Sequence, residues 1–467
     1  MADSFDLIVL GAGSAAREAA THAATQHGAS VAIVERERWG GQCPNVACKP
    51  TKQYTVAGDL LRDLRAAADL GLETSPVSFD LARLKARKDW LVGPQSRWRQ
   101  RFVDAGYEVL DGEAAFVDAR TVRVGERELT SERILIATGS RTALPPVEGL
   151  ADVPWLDHIS LLELTEVPES LLVLGAGAVG LELAQAFARF GSRVTIVQSD
   201  QRIAVRGDAD ASAAVAASLR DEGIEIVTST YLRAVRRDGA AIVGTLAPKD
   251  GSATSERRVT HLLLATGRSP NVEELDLERA GVEHDGRGIA VDERMRTNVA
   301  GIWAVGDVTA TVQLTPVASI QGQVAVADMF GDGRRTMEYD LIPTSIFTDP
   351  ELAGVGLTEA QAEAAGFDVG TSKYDTAALV RPYYTSDREE TPHGFVKLVF
   401  ERGSRRLLGV HAVARGAGEL LQGFAVALKL GATVDDVAFS HYAFPTYGES
   451  LHYAAEATLV EAGALTS

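Results

Sequence analysis

The sequence predicts an α/β chain built from two copies of one strand–turn–helix–strand unit, followed by an α+β C-terminal part. Three observations predict it. Residues 5–35, FDLIVLGAGSAAREAATHAATQHGASVAIVE, pass from an apolar strand through a glycine turn into an alanine-rich helix and a second strand ending in Glu35. Residues 171–198, LLVLGAGAVGLELAQAFARFGSRVTIVQ, repeat that pattern and end in Gln198. ILIATGS (134–140) and LLLATGRSPN (262–271) then each close an apolar strand with Ala-Thr-Gly. Both copies put glycines where a dinucleotide pyrophosphate meets a helix N-terminus, the Rossmann-like arrangement.

The first copy is the longer by a few tens of residues, which the segment with the cysteines and its following helices (42–105) accounts for. Between the copies, RTALPPVEGLADVPWLDH (141–158) and EVPES (166–170) carry prolines that break helix and strand alike, so the chain crosses between domains there. GDGRRTMEYDLIPT (331–344) suggests a second boundary. Beyond it, GFVKLVFE and LLGVHAVA read as strands and GAGELLQGFAVALKLG as a helix, with no glycine fingerprint. The expected domains are 1–148, the first nucleotide domain with the cysteines; 149–267, the second; 268–338, the remainder of the first; and 339–467, the α+β domain.

In the first turn the fingerprint residues are Gly11, Gly13 and Ala16, with Glu35 placed to accept hydrogen bonds from a ribose. The second has Gly175, Gly177 and Gly180, but ends in Gln198, where an NAD-specific site favours an acid. Losing that carboxylate removes repulsion toward a 2′-phosphate, and Arg202 and Arg206 follow closely. NADPH is therefore favoured over NADH. Gly139 and Gly267 close the two Ala-Thr-Gly strands, and Asp307, in TNVAGIWAVGDVT, stands at a strand tip where an acid can bind a polyol hydroxyl or cap a helix.

The 467 residues are 46% hydrophobic and 24% charged, with no apolar run long enough to span a bilayer. A formal net charge of −18 disfavours general nucleic-acid binding. The N-terminus enters a strand without a basic, cleavable leader, so a cytoplasmic location is expected. In that compartment a structural disulfide between Cys43 and Cys48, the only two cysteines, is disfavoured, and two thiols without nearby histidines are too few for zinc. A redox-active pair is the favoured reading, and no metal site is expected.

Taken together, GGQCPNVACKPTK, GAGAVGLELA, ATGRSPN, VGDVT and FPTYGE, in that order over essentially the whole chain, resemble the flavoprotein pyridine nucleotide-disulfide oxidoreductases, which include glutathione reductase, dihydrolipoamide dehydrogenase and mercuric reductase. The resemblance implies FAD in the first nucleotide domain, NADPH or NADH in the second, and a C-terminal interface domain through which a homodimer completes each active site with the partner's C-terminus. It implies that Cys43 is the interchange thiol facing substrate, that Cys48 lies against the flavin, and that Lys52 and Glu182 form the ion pair beside it. The family's box usually reads G-G-T-C-x-N-x-G-C-x-P-S-K.

The departure is Phe444. The family's H-P-T-x-x-E appears as Phe444-Pro445-Thr446-Tyr447-Gly448-Glu449, and phenylalanine cannot do the proton transfer of an imidazole near neutral pH. Tyr442, Tyr447 and His441 are the nearby groups able to replace it, while Glu449 is retained. The implied activity is NAD(P)H-dependent reduction of a small disulfide or related thiol compound by an altered proton route. Phe444 also resembles the 2-ketopropyl-coenzyme M oxidoreductase/carboxylase branch, where an apolar residue protects a carbanion for capture by CO2, although Glu449 stands where that branch has histidine. Quinone or other small-acceptor reduction and a lapsed flavin-binding subunit are further readings. Mercuric ion reduction is disfavoured, because LVEAGALTS (459–467) lacks a cysteine pair and no N-terminal metal-binding domain precedes the first strand.

Overall fold

The structure is a computed structural model that describes residues 3–73, 77–309, 311–384 and 393–461; most of the 459–467 segment named above lies outside them. The chain forms two compact units: residues 1–50, 86–143 and 267–339 make the first, and 51–85, 144–266 and 340–467 the second.

In the first unit, five parallel strands lie in the order Ile302–Ala304, Ile134–Ile136, Leu7–Leu10, Val31–Glu35 and Glu108–Asp111. Every pair is parallel. Leu7, Ile8, Val9 and Leu10 are all buried, as expected of a central parallel strand covered on both faces. The helix Ser14–His27 buries Ala15, Ala16, Ala19, Ala20 and Ala23. The helix Thr315–Phe330 comes so close to it that a Cβ on Gly322 would stand 2.4 Å from the Ala15 carbonyl oxygen.

The second unit repeats the parallel sheet, in the order Trp155–Leu156, His261–Leu264, Ser170–Leu174, Arg193–Val197 and Glu225–Val227. The helix Ala178–Phe190 follows its glycine turn and is buried along most of its length. An antiparallel sheet of Thr344–Ile346, Glu351–Gly356, Leu407–Ala414, Phe395–Glu401 and Val369–Asp375 builds the C-terminal α+β part. The helix expected over 416–431 is split at Leu421 into Ala417–Leu420 and Gln422–Lys429. Among the described residues, no helix is long and apolar enough to cross a membrane.

Candidate functional site

The geometry of the first glycine turn follows from steric exclusion. Gly11 has φ of +108°, and a Cβ there would lie 2.3 Å from the Ala137 carbonyl oxygen. Gly13 differs: a Cβ would touch only the Cα of Gly41, at 3.9 Å, and at Gly139 it would meet nothing within 4 Å. Internal packing therefore does not demand glycine at Gly13, which leaves the backbone open to a pyrophosphate, while at Gly139 the φ of +69° itself favours glycine. The Glu35 carboxylate accepts from the N–H groups of Ala12 (2.9 Å), Glu37 (2.8 Å) and Arg38 (3.0 Å), which fixes it at the strand end.

Asp307 accepts from the Ser140 hydroxyl at 2.6 Å through Oδ2 and lies 3.4 Å from the Arg268 guanidinium. Arg268 also donates to Gln42 Oε1 at 2.5 Å, and Gln42 donates to the Ser140 carbonyl at 2.5 Å. Gln42, within the cysteine box, thus joins that box to the strand-end acid. These donors, acceptors and open glycines fit an FAD.

Cys43 lies in the short helix Gln42–Asn45 and Cys48 begins the helix Cys48–Ala66. Both are half-buried, and they are reduced rather than joined in a disulfide. The Asn45 side chain donates to the carbonyls of Trp39 and Gly41 at 2.9 and 2.7 Å and pins the turn between them. A hydrogen bond from Cys48 is the main cause holding the Cys43 thiol down at about 6; burial opposes it, and Thr315, Lys49 and Arg17 add to it. The Thr315 hydroxyl lies 3.5 Å from Cys48 Sγ. The sequence reading missed Thr315, which is the first residue of a helix more than 260 positions away.

In the second unit, Gly175 repeats Gly11 with φ of +106° and a Cβ position 2.3 Å from the Ala265 carbonyl oxygen. A Cβ on Gly180 would stand 2.1 Å from the Gly175 carbonyl oxygen, but at Gly177 and Gly267 one would meet nothing within 4 Å. The Gln198 side chain accepts from Ala176 N at 3.2 Å and donates to Asp200 at 2.8 Å. Arg202 donates to the carbonyls of Ala204, Val205 and Gly207 at 3.2, 2.7 and 3.0 Å, so its guanidinium is tied into its own loop. Arg206 is exposed.

Lys52 and Glu182 meet, with Nζ 2.6 Å from Oε2. Glu182 is only 3% exposed, and its other oxygen accepts from the Phe347 N–H at 3.0 Å. The Phe347 ring lies 4.4 Å from the Lys52 ammonium, a contact the sequence did not announce. Gln185 and Arg189 continue the same helix face. Gln185 exchanges hydrogen bonds with the backbone of Asp349, and Arg189 bonds Asp59, Glu222 and Asp349. Burial pushes the Asp59 carboxyl up to about 6 despite Arg189.

Phe444 is 77% exposed. Glu449, 8% exposed, accepts from the Thr446 N–H at 2.9 Å at the start of the helix Glu449–Glu461. The Tyr442 hydroxyl donates to the Val437 carbonyl, and burial raises its pKa. Burial also raises that of Tyr447, and His441 is exposed.

Two glycine turns of one geometry and a dithiol on the same chain describe a class, the dinucleotide-dependent oxidoreductases with a cysteine pair. Residues 5–322 match the family described as pyridine nucleotide-disulphide oxidoreductase, and residues 342–455 match its dimerisation domain. Relatives include the mercuric reductase of Streptomyces lividans, 38% identical over 97% of this chain and 96% of that protein. The dihydrolipoyl dehydrogenase of Haloferax volcanii is 34% identical over 99% and 98%. Among solved structures, the Cu(II) complex of the HOCl-induced flavoprotein disulfide reductase RclA from Escherichia coli superposes with a TM-score of 0.85, at 28% identity, covering 97% of this chain and 99% of that one. The chain belongs to the class I pyridine nucleotide-disulfide oxidoreductase family. It is an FAD-dependent, NAD(P)H-linked oxidoreductase with that family's architecture.

Proposed function

We propose that the chain passes reducing equivalents from NADPH, in preference to NADH, through the Cys43–Cys48 pair to a small disulfide or related thiol compound, working as a cytoplasmic homodimer. One observation carries this reading: a free Cys43 thiol held near pH 6 with Cys48 as its hydrogen-bond partner. Bound FAD supplies the two-electron carrier between nicotinamide and cysteines. Glu35 and Asp307 would hold it through hydroxyls, Gly13 would leave room for its phosphates in the turn that Gly11 and Ala16 shape, and Gly139 would let the backbone approach. Gly175, Gly177, Gly180 and Gly267 would do the same for the nicotinamide dinucleotide. Lys52, fixed by Glu182 and Phe347, supplies a positive charge. The 1–148, 149–267, 268–338 and 339–467 division belongs to the same proposal.

The Cys43 thiolate attacks one substrate sulfur; the S–S bond breaks and its electron pair leaves with the other sulfur as a thiolate. Cys48 then attacks Cys43 Sγ, expels the second thiolate and closes the Cys43–Cys48 disulfide, which the next two electrons reopen. Phe444 donates no proton, so the departing groups leave as anions and take protons from water.

Starting from oxidised enzyme in which Cys43 and Cys48 have been joined as a disulfide, anaerobic NADPH titration should take up about four electrons per FAD, two in the flavin and two in the cysteines. Uptake of about two would remove the cysteines from the mechanism. Alkylation of the reduced enzyme by iodoacetamide should rise with a midpoint near 6, because Cys43 is protonated and slow below it and a thiolate above it. A midpoint in the ordinary thiol range would overturn the activated-thiol assignment.

The names of the relatives favour a second reading. A dithiol is a good ligand for soft metals, and mercuric reductases and a copper-complexed reductase are among the proteins this chain resembles. Rates of NADPH oxidation with Hg(II), Cu(II) and small disulfides decide between them.

A further inference from the structure

A group of cations that dithiol exchange does not itself require stands beside the cysteine box. Trp98, from the helix Ser96–Asp104, lies flat against Gly40: a Cβ there would stand 2.7 Å from the indole, and Gly40 has φ of +88°. Around that one ring gather the guanidinium of Arg101 at 4.6 Å from its centre, that of Arg17 at 5.7 Å and the Lys49 ammonium at 5.9 Å. The three come from three different helices. Arg17 is paired with Glu18 at 3.5 Å, while Lys49 and Arg101 are exposed, so the cluster is net positive in a chain of net charge −18.

Attraction of each cation to the indole is offset by repulsion among the three, so stability alone gives little reason for the grouping. Its place gives a better one. Gly40 is three residues before Cys43, Lys49 adjoins Cys48, and both Lys49 and Arg17 act electrostatically on the Cys43 sulfur.

We infer that Arg17, Lys49 and Arg101, arrayed around Trp98, form the approach to Cys43 and select disulfides that carry carboxylates. The inference rests on the proposed dithiol function and names its substrate class. A dianionic disulfide is drawn toward Cys43 by this field. When Cys43 bonds to one sulfur, the other leaves with the S–S electron pair as a thiolate, and the same cations stabilise that charge. They do electrostatically part of what a protonated imidazole would do, at a chain whose corresponding residue is Phe444. The overall balance is NADPH, a proton and one disulfide giving NADP+ and two thiols. A hydrated metal dication is repelled by the same field.

The test uses the full-length, FAD-loaded enzyme with NADPH and three disulfides: 3,3′-dithiodipropionate (a dianion), 2-hydroxyethyl disulfide (neutral) and cystamine (a dication). The expected kcat/KM order is dianion, neutral, dication, with about a hundredfold between the extremes at low ionic strength and much less at about 0.2 M salt. In the Lys49→Gln/Arg101→Gln variant, the ratio of dianion to neutral kcat/KM should fall about tenfold. Equal turnover of all three, or a ratio unmoved by salt and by the substitutions, would overturn the charge selection while leaving the dithiol function standing. If none is reduced although NADPH still bleaches the flavin, the dithiol function fails and this inference fails with it.

Discussion

In the first glycine turn a Cβ on Gly11 would stand 2.3 Å from a carbonyl oxygen of the neighbouring strand, and in the second a Cβ on Gly175 would stand at the same distance from the matching oxygen. The strand-end side chains also repeat one contact: Glu35 accepts from Ala12 N, and Gln198 from Ala176 N. Two things differ. The third position is Ala16 in one turn and Gly180 in the other, where only glycine clears the Gly175 carbonyl. The carboxylate of Glu35 collects three N–H donors, whereas the neutral Gln198 takes one and passes a hydrogen bond on to Asp200. Backbone crowding fixes Gly11 and Gly175 alike, while the side chain at the strand end differs in charge between the two turns.

The comparison can be broken or sharpened by substitution. Gly11→Ala and Gly175→Ala should each cost about 2–4 kcal/mol, from a positive φ and a clash with backbone oxygen, read as loss of stability in denaturant unfolding. A cost for one and not the other would end the claim that the turns are equivalent. Glu35→Gln keeps the shape but replaces a charged acceptor of several N–H groups, so flavin retention should weaken about tenfold to a hundredfold, measured by release of flavin fluorescence on dilution. Gln198→Glu should move the NADPH-to-NADH ratio of kcat/KM about tenfold toward NADH through repulsion of the 2′-phosphate. Arg206→Gln should move it a few-fold in the same direction. Arg202→Gln should leave that ratio in place and lower stability instead, because its donors already serve three carbonyls.

The paired strands, the glycine turns and the Lys52–Glu182 contact were legible because each is written in a local pattern or an ordered motif. The 2.6 Å Lys52–Glu182 ion pair needed only two motifs to be recognised. Most of what escaped depends on chain segments meeting from far apart, Arg202 being a local exception. Thr315 reaches Cys48 across 267 positions, and no spacing rule connects them. Arg202 looked available because sequence shows a charge but not the carbonyls that occupy it. Gln42 was visible within the box, yet its ties to Ser140 and Arg268 needed the fold. The cations around Trp98 come from three helices that share no motif.

The helix Ala178–Phe190 holds one last consequence. Glu182, Gln185 and Arg189 give its buried polar face to Lys52, Asp59 and the 347–349 segment, while the nucleotide turn lies ahead of the helix and Gln198 lies beyond it. On the proposed reading, coenzyme preference and the setting of the lysine therefore rest on different residues. Inheritance can then treat them as separate traits: a lineage can exchange one coenzyme for the other at a strand tip without renegotiating the clasp between lysine and glutamate.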